Sequence, residues 1–221
     1  MTTNFTLRDF FVYLLAGLTL IISFGAIFSR ELLHYTVDFF DKYTFIVNFS
    51  FIITILLIPT IYLLGHIIGS ISYNMLRMYI FLDNGYFKRP TSKFKYFILI
   101  NLRQILYKQR VVYAIIEFTK SKKTDKPFKT VDEFWKACAK LQIEKIYTHA
   151  EYWYVLNELF NSLNLIFFFS AITALIKGNW ILGIIFSVLT IFSFKRARQY
   201  AEHFIQTVCN LTIVKQTIKN N

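Results

Sequence analysis

Charge is scarce in this sequence, and acidic charge scarcest of all. Asp and Glu together number 13 in 221 residues, and charged residues of both signs make up only 17%. A water-soluble globular domain carries about 25%, so much of this chain has little to offer water. Cysteine is nearly absent. Cys138 and Cys209 stand alone, with no CxxC pair and no Cys/His cluster, which argues against a disulfide scaffold and a structural metal, and no cofactor is expected. Seven Gly and three Pro leave few places for phosphate-cradling Gly-rich loops or β-turns. No HExxH and no Ser/His/Asp elements stand out, so no catalytic motif of high specificity is supplied.

What is present is apolar. Residues of the AVILMFWYC set make up 55% of the chain, more than a core of this size can hide, so lipid has to cover the remainder. About 20 predominantly apolar residues cross the hydrocarbon, and four segments qualify: residues 10–28, 43–66, 159–176 and 180–194. The first follows MTTNFTLRDF. It lacks a small-residue cleavage site and is longer than a signal-peptide core, so it reads as a retained span. Pro59 falls inside the second and reads as a kink within one helix, because splitting the segment there leaves halves too short to cross. Only Lys177-Gly178-Asn179 separates the last two, and Gly178 suits the left-handed residue that ends a helix. These two spans therefore form an antiparallel hairpin.

The net charge is +12, and its placement sets orientation. Arg30, Lys42 and Lys177 lie in the first and last loops, while the other 22 of the 25 Lys and Arg fall on the opposite side. Arg77, Lys195, Arg196 and Arg198 sit close to span ends, where the positive-inside rule is strongest. Both termini are expected in the cytoplasm, at the inner membrane. The expected fold is all-α: a four-helix transmembrane bundle whose helices extend into a cytoplasmic helical domain. Residues 1–82 hold the first two spans and a short interfacial helix between them. Residues 83–158 form a basic helical domain, 159–194 the hairpin and 195–221 a C-terminal helix.

Within that domain, residues 92–118 have apolar positions at helical spacing. Thr130-Val131-Asp132-Glu133 fits a capping box that starts a new helix. No Gly or Pro occurs from Phe128 to Lys177, so this helix is expected to run unbroken into the third span. Tyr147, Tyr152, Trp153 and Tyr154 read as an aromatic belt at the inner interface, and Trp180 as its outer counterpart.

Polar residues inside apolar spans are functional candidates by default. His66, Ser70, Tyr73 and Arg77 fall within about 60° of one another at about 100° per residue. Gly65 and Gly69 beside them form a GxxxG that lets another helix approach. Asn157, Asn161 and Asn164 form a similar stripe on the third span. Such faces serve as interhelical hydrogen-bond glue, as the lining of a polar cavity or oligomeric pore, or as a catalytic site with His66 as base. The basic loop of Lys120, Lys122, Lys123, Lys126 and Lys129, with Lys195, Arg196 and Arg198 beside the fourth span, fits anionic lipid headgroups or a cytoplasmic protein partner. Nucleic acid is a further candidate, since aromatics interleave with Lys and Arg from Lys88 to Arg110. Arg198 and His203 match the Arg-x4–6-His spacing of HEPN-type ribonucleases.

In size, span number, basic cytoplasmic portion and AT-rich composition, the chain resembles small membrane proteins of prokaryotic antiphage and CRISPR loci, the four-pass accessory proteins of type VI-B systems among them. The resemblance implies an effector or regulator acting at the cytoplasmic membrane during phage infection. Two functions follow as expectations. One is a non-enzymatic homo-oligomer whose cytoplasmic domain senses a partner and whose spans alter permeability as a pore or channel. The other is a membrane-embedded enzyme acting on lipid at His66 or on RNA at Arg198 and His203.

Overall fold

The computed structural model describes residues 9–29, 31–32, 50–83, 111–120 and 127–220. Every regular element among them is a helix. A π-helical segment, Asp9–Leu14, leads into α1 (Leu15–Ile27). Then come α2 (Ser50–Asp83), α3 (Val111–Lys120), α4 (Val131–Ile143), α5 (Thr148–Ile176) and α6 (Trp180–Asn220). Within α2, α5 and α6 lie three stretches long and apolar enough to cross a membrane, so the protein is membrane-embedded. Val12–Ile27 is apolar but shorter. The structure divides into two compact units, residues 1–73 with 162–193 and residues 74–161 with 194–221.

In the first unit, apolar side chains point outward. Ile55, Leu56, Ile58 and Leu63 on α2 and Ile181, Ile184 and Val188 on α6 are all exposed. Branched aliphatic residues in such number are stable outside a core only against lipid or another apolar surface. α2 runs through Pro59 as one helix, consistent with the reading of a single proline-containing span. The buried cluster is small: Ile27, Ala171, Ala174 and Phe186, with Phe28, Phe167, Leu182 and Leu189 packed around it.

Close backbone approach joins α1 to α2. A Cβ on Gly17 would stand 1.9 Å from the Ile61 carbonyl oxygen, and one on Gly65 would stand 1.8 Å from that of Tyr13. Only glycine fits at either point. Without a hydrophobic drive between helices in lipid, this closeness is what makes their packing favourable.

The α5–α6 turn is a Schellman motif. The Asn179 N–H donates to the Ala174 carbonyl at 2.9 Å and the Gly178 N–H to that of Leu175 at 3.0 Å. Gly178 takes φ +75°, where a side chain would clash. The Asn179 side chain then accepts from the Leu182 N–H at 3.2 Å, capping α6.

The second unit has a conventional core. Phe134 and Phe204 are fully buried with Ile115 and Val208, and Cys138, Leu141, Ala150, Ala201 and Cys209 close around them. Ring edges meet faces from Phe128 to Phe134 at 5.3 Å and from Phe134 to Phe204 at 5.8 Å, the arrangement that aromatic quadrupoles favour. Thr130 caps α4, its hydroxyl accepting from the Glu133 N–H at 3.2 Å. The Glu133 carboxylate reaches back to the Lys129 N–H at 2.7 Å, one residue earlier than in a standard capping box.

Two expectations from the sequence are corrected here. The helix begun at Thr130 does not continue into the third span: it ends at Ile143, and α5 starts afresh at Thr148. The break is a second Schellman motif, in which the Ile146 N–H donates to the Leu141 carbonyl and the Lys145 N–H to that of Gln142, both at 3.1 Å. Lys145 takes φ 60°, a left-handed conformation without glycine to signal it. The aromatic belt is also revised. Tyr147, Trp153 and Tyr154 pack against the second unit's core, Tyr147 and Tyr154 lying 6.3 and 5.5 Å from the Phe204 ring. Tyr152 is exposed. Of the helix expected over residues 92–118, the described part is α3, which runs on to Lys120.

Candidate functional site

The asparagine stripe is the most complete polar arrangement among the described residues. Asn157, Asn161 and Asn164 are all buried on α5. In the second unit, the Asn157 amide donates to the Ala197 carbonyl of α6 at 2.6 Å. In the first, the Asn164 amide donates to the Thr190 carbonyl at 2.8 Å. The donors are seven residues apart on α5 and the acceptors seven apart on α6, in opposite chain order, as an antiparallel pair requires. Asn161 bonds along its own helix, to the Asn157 carbonyl at 2.8 Å and the Asn157 Oδ1 at 2.9 Å. That fixes the Asn157 amide with its oxygen accepting and its nitrogen free to cross to α6. The Asn161 Oδ1 is buried and has no hydrogen-bond partner among the described residues.

These bonds hold two helices together. Both acceptors are main-chain carbonyls, which have a second lone pair beyond the one used inside the helix. Thr190 completes the pattern by donating its own hydroxyl to the Phe186 carbonyl at 2.7 Å. Four other hydroxyls in the spans do likewise: Thr19 bonds Leu15, Thr60 bonds Leu56, Thr173 bonds Phe169 and Ser187 bonds Gly183. A hydroxyl satisfied four residues back asks nothing of its surroundings. Ser170 is different: it is fully buried, and its Oγ has no partner among the described residues.

The stripe on α2 is built another way. His66 is half-buried, its ring stacked on Tyr13 at 3.6 Å and 16° and met edge-on by Tyr62 at 4.6 Å and 75°. The π-helical segment supplies Tyr13, whose carbonyl also abuts Gly65 and whose ring lies 3.3 Å from a Cβ built on Gly69. One residue thus fills the groove beside both glycines. Ser70 is exposed, and Ser72 is buried instead. The side chains of Tyr73 and Arg77 lie outside the described residues. Tyr13 and Gly17 escaped the sequence reading. The signal for them was the second small residue, Gly17, needed opposite Gly65 for two backbones to touch.

Among the basic candidates, Lys129 is exposed, while Lys122, Lys123, Lys126 and the side chain of Lys120 lie outside the described residues. Lys195, Arg196 and Arg198 are exposed on α6. Arg198 pairs with Glu202 at 3.0 Å, and Arg196 donates to Gln199 at 3.2 Å. His203 is exposed and packs at 5.0 Å from the Trp153 ring. Five residues along a helix set it about 140° around from Arg198, so within one chain these two side chains do not converge.

Burial perturbs the acidity of groups in the second unit's core. Burial pushes the Cys138 thiol up to about 12, and burial likewise raises the Tyr147 phenol. A thiol held neutral packs as a small hydrophobe and is a poor nucleophile. Compared with protein-family models, with curated proteins and with solved structures, the chain matches none of them.

Proposed function

We propose that this protein is a four-pass effector or accessory protein of the inner membrane, of the kind found in prokaryotic antiphage defence. Both termini and the basic helical unit face the cytoplasm. There the unit receives a protein partner or signal, and in a homo-oligomer the spans respond by changing membrane permeability. α1 is the fourth span: with the π-helical segment before it, it packs on α2 through Gly17 and Gly65.

One observation carries this reading. α5 and α6, of 29 and 41 residues, each belong to both units. At 1.5 Å per residue a 41-residue helix is about 60 Å long, against about 30 Å of hydrocarbon. The asparagine bonds support the hairpin, since one in each unit holds α5 against α6. The stacked environment of His66 supports a packing role for that ring better than a catalytic one.

The test is reconstitution of the full-length protein into liposomes holding an ion-flux dye, with the oligomeric state measured in the same preparation. A symmetric oligomer that dissipates the gradient is expected. A monomer that leaves the liposomes tight overturns the reading.

A further inference from the structure

We propose that the second unit binds single-stranded nucleic acid along a strip of aromatic rings shared by α5 and α6. Its access to such a strand rests on the reading that this unit faces the cytoplasm, and the strand gives the signal received there a chemistry. Charge is divided unequally along the chain. Residues 74–161 and 194–221 hold 21 Lys and Arg against 9 Asp and Glu, whereas the rest of the chain holds 4 of each sign. The entire net charge of +12 thus falls on one unit, whichever side chains pair within it. Orientation in a membrane requires cations only near span ends, so most of this excess has another use. An excess of that size draws a polyanion.

The ring strip gives that polyanion its class. The Trp153 indole stacks with Tyr200 at 5.7 Å and 23°. His203 lies 5.0 Å from it, Tyr152 5.2 Å and His149 6.2 Å, and Phe160 extends the row at 5.3 Å from Tyr200. His149, Tyr152 and His203 are exposed and the other three half-buried, so rings reach the surface along about 16 Å of α5. Cations stand at both ends, with exposed Lys145 just before α5 and exposed Arg196 one turn before Tyr200. The acids of these helix segments are turned away. At about 100° per residue, Glu151 and Glu158 fall roughly 160° around α5 from the rings. Glu202 pairs with Arg198 at 3.0 Å on the other flank of α6. This side of the unit therefore offers rings to bases and cations to phosphates, the combination on which single strands bind. An anionic lipid or an acidic protein would use the cations but has no bases for the rings, and a duplex keeps its base faces stacked inside.

The experiment is fluorescence anisotropy with the full-length protein in zwitterionic detergent. The probes are labelled RNA and DNA strands of one sequence, about 12 nucleotides long, and the matching duplex. Single strands should bind about tenfold more tightly than the duplex, the worth of stacking one or two bases, and the tighter of RNA and DNA identifies the source. Tyr152→Ala should weaken single-strand binding about fivefold or more, whereas Tyr152→Phe should keep it. Lys145→Gln should weaken it too, and make the dependence of log affinity on log salt shallower by about 0.7. Both side chains are exposed, so thermal unfolding should show these variants folded. Full affinity in Tyr152→Ala, a duplex bound as tightly as the strands, or a wild-type protein that binds neither strand overturns the proposal. So does equal displacement by polyglutamate or by phosphatidylglycerol vesicles, which would assign the cations to an acidic protein or to the membrane. Liposomes that leak without any nucleic-acid binding count against this site alone, whereas binding by a monomer that leaves them tight counts against the effector reading alone.

Discussion

Asn161 donates its amide to both the carbonyl and the side-chain oxygen of Asn157, and so decides which way the Asn157 amide faces. Asn157 spends its own N–H on Ala197. The two residues therefore act as one device, in which the first supplies the grip on α6 and the second its orientation.

Replacing Asn157 by Ala should destabilise the hairpin by about 0.6–1.7 kcal/mol, the range of interhelical hydrogen bonds in membranes. Asn161→Ala should cost a similar amount, and the double variant less than the two together, because removing either residue already forfeits the oriented bond. Thermal unfolding of the four proteins in one detergent measures the coupling. Additive losses would mean that the residues work independently.

Gly65→Ala should be far more damaging than Gly25→Ala. The new methyl at Gly65 meets the Tyr13 main chain, whereas nothing lies within 4 Å of a Cβ on Gly25. Main-chain atoms cannot rotate away, so α1 and α2 must separate, at about 1–3 kcal/mol for overpacking. Gly69→Ala should fall between, since its methyl meets only the Tyr13 ring at 3.3 Å. The same unfolding assay ranks the three.

Lys145→Gly should stabilise the protein. Lys145 sits at φ 60°, a conformation that disfavours a side chain by about 1–2 kcal/mol. Part of that gain is lost to the greater freedom of glycine in the unfolded chain, leaving a net gain of about 0.5–1 kcal/mol. A fall in unfolding temperature would show that the lysine side chain contributes something the left-handed geometry does not reveal.

Alkaline pH should weaken the second unit. Cys138 titrates near 9.0 when free and about 12 in the fold. Between those values the unfolded chain has lost the proton and the folded one has kept it. The unfolded state thus binds fewer protons, and stability falls as pH rises through that window. Cys138→Ala should flatten the slope there, measured by denaturant unfolding at stepped pH. The folded thiol should also alkylate slowly near neutral pH.

Features that depend on a residue's own chemistry were legible in the sequence. Gly178 announced a left-handed helix end, Thr130 a helix start, and long apolar runs the membrane-crossing helices. Features that depend on a partner were not. The acceptors for Asn157 and Asn164 are main-chain carbonyls, which every residue possesses, so nothing in the letters marked Ala197 or Thr190. The break at Lys145 was hidden for a related reason. A lysine there is compatible with unbroken helix, and the turn is imposed by tertiary packing, with Tyr147 and Tyr154 both against Phe204. The same packing moved these tyrosines out of the belt in which their proximity to a span had placed them.

The cored unit is assembled from two stretches of chain with the 32 residues of Ser162–Ser193 between them. Phe134 and Phe204 meet across that insertion, so no nascent chain can finish the unit until α6 has left the ribosome. The hairpin is therefore synthesised before the unit can close. A chain stopped at Ser193 would leave Phe134 and Ile115 without the cover of Phe204 and Val208.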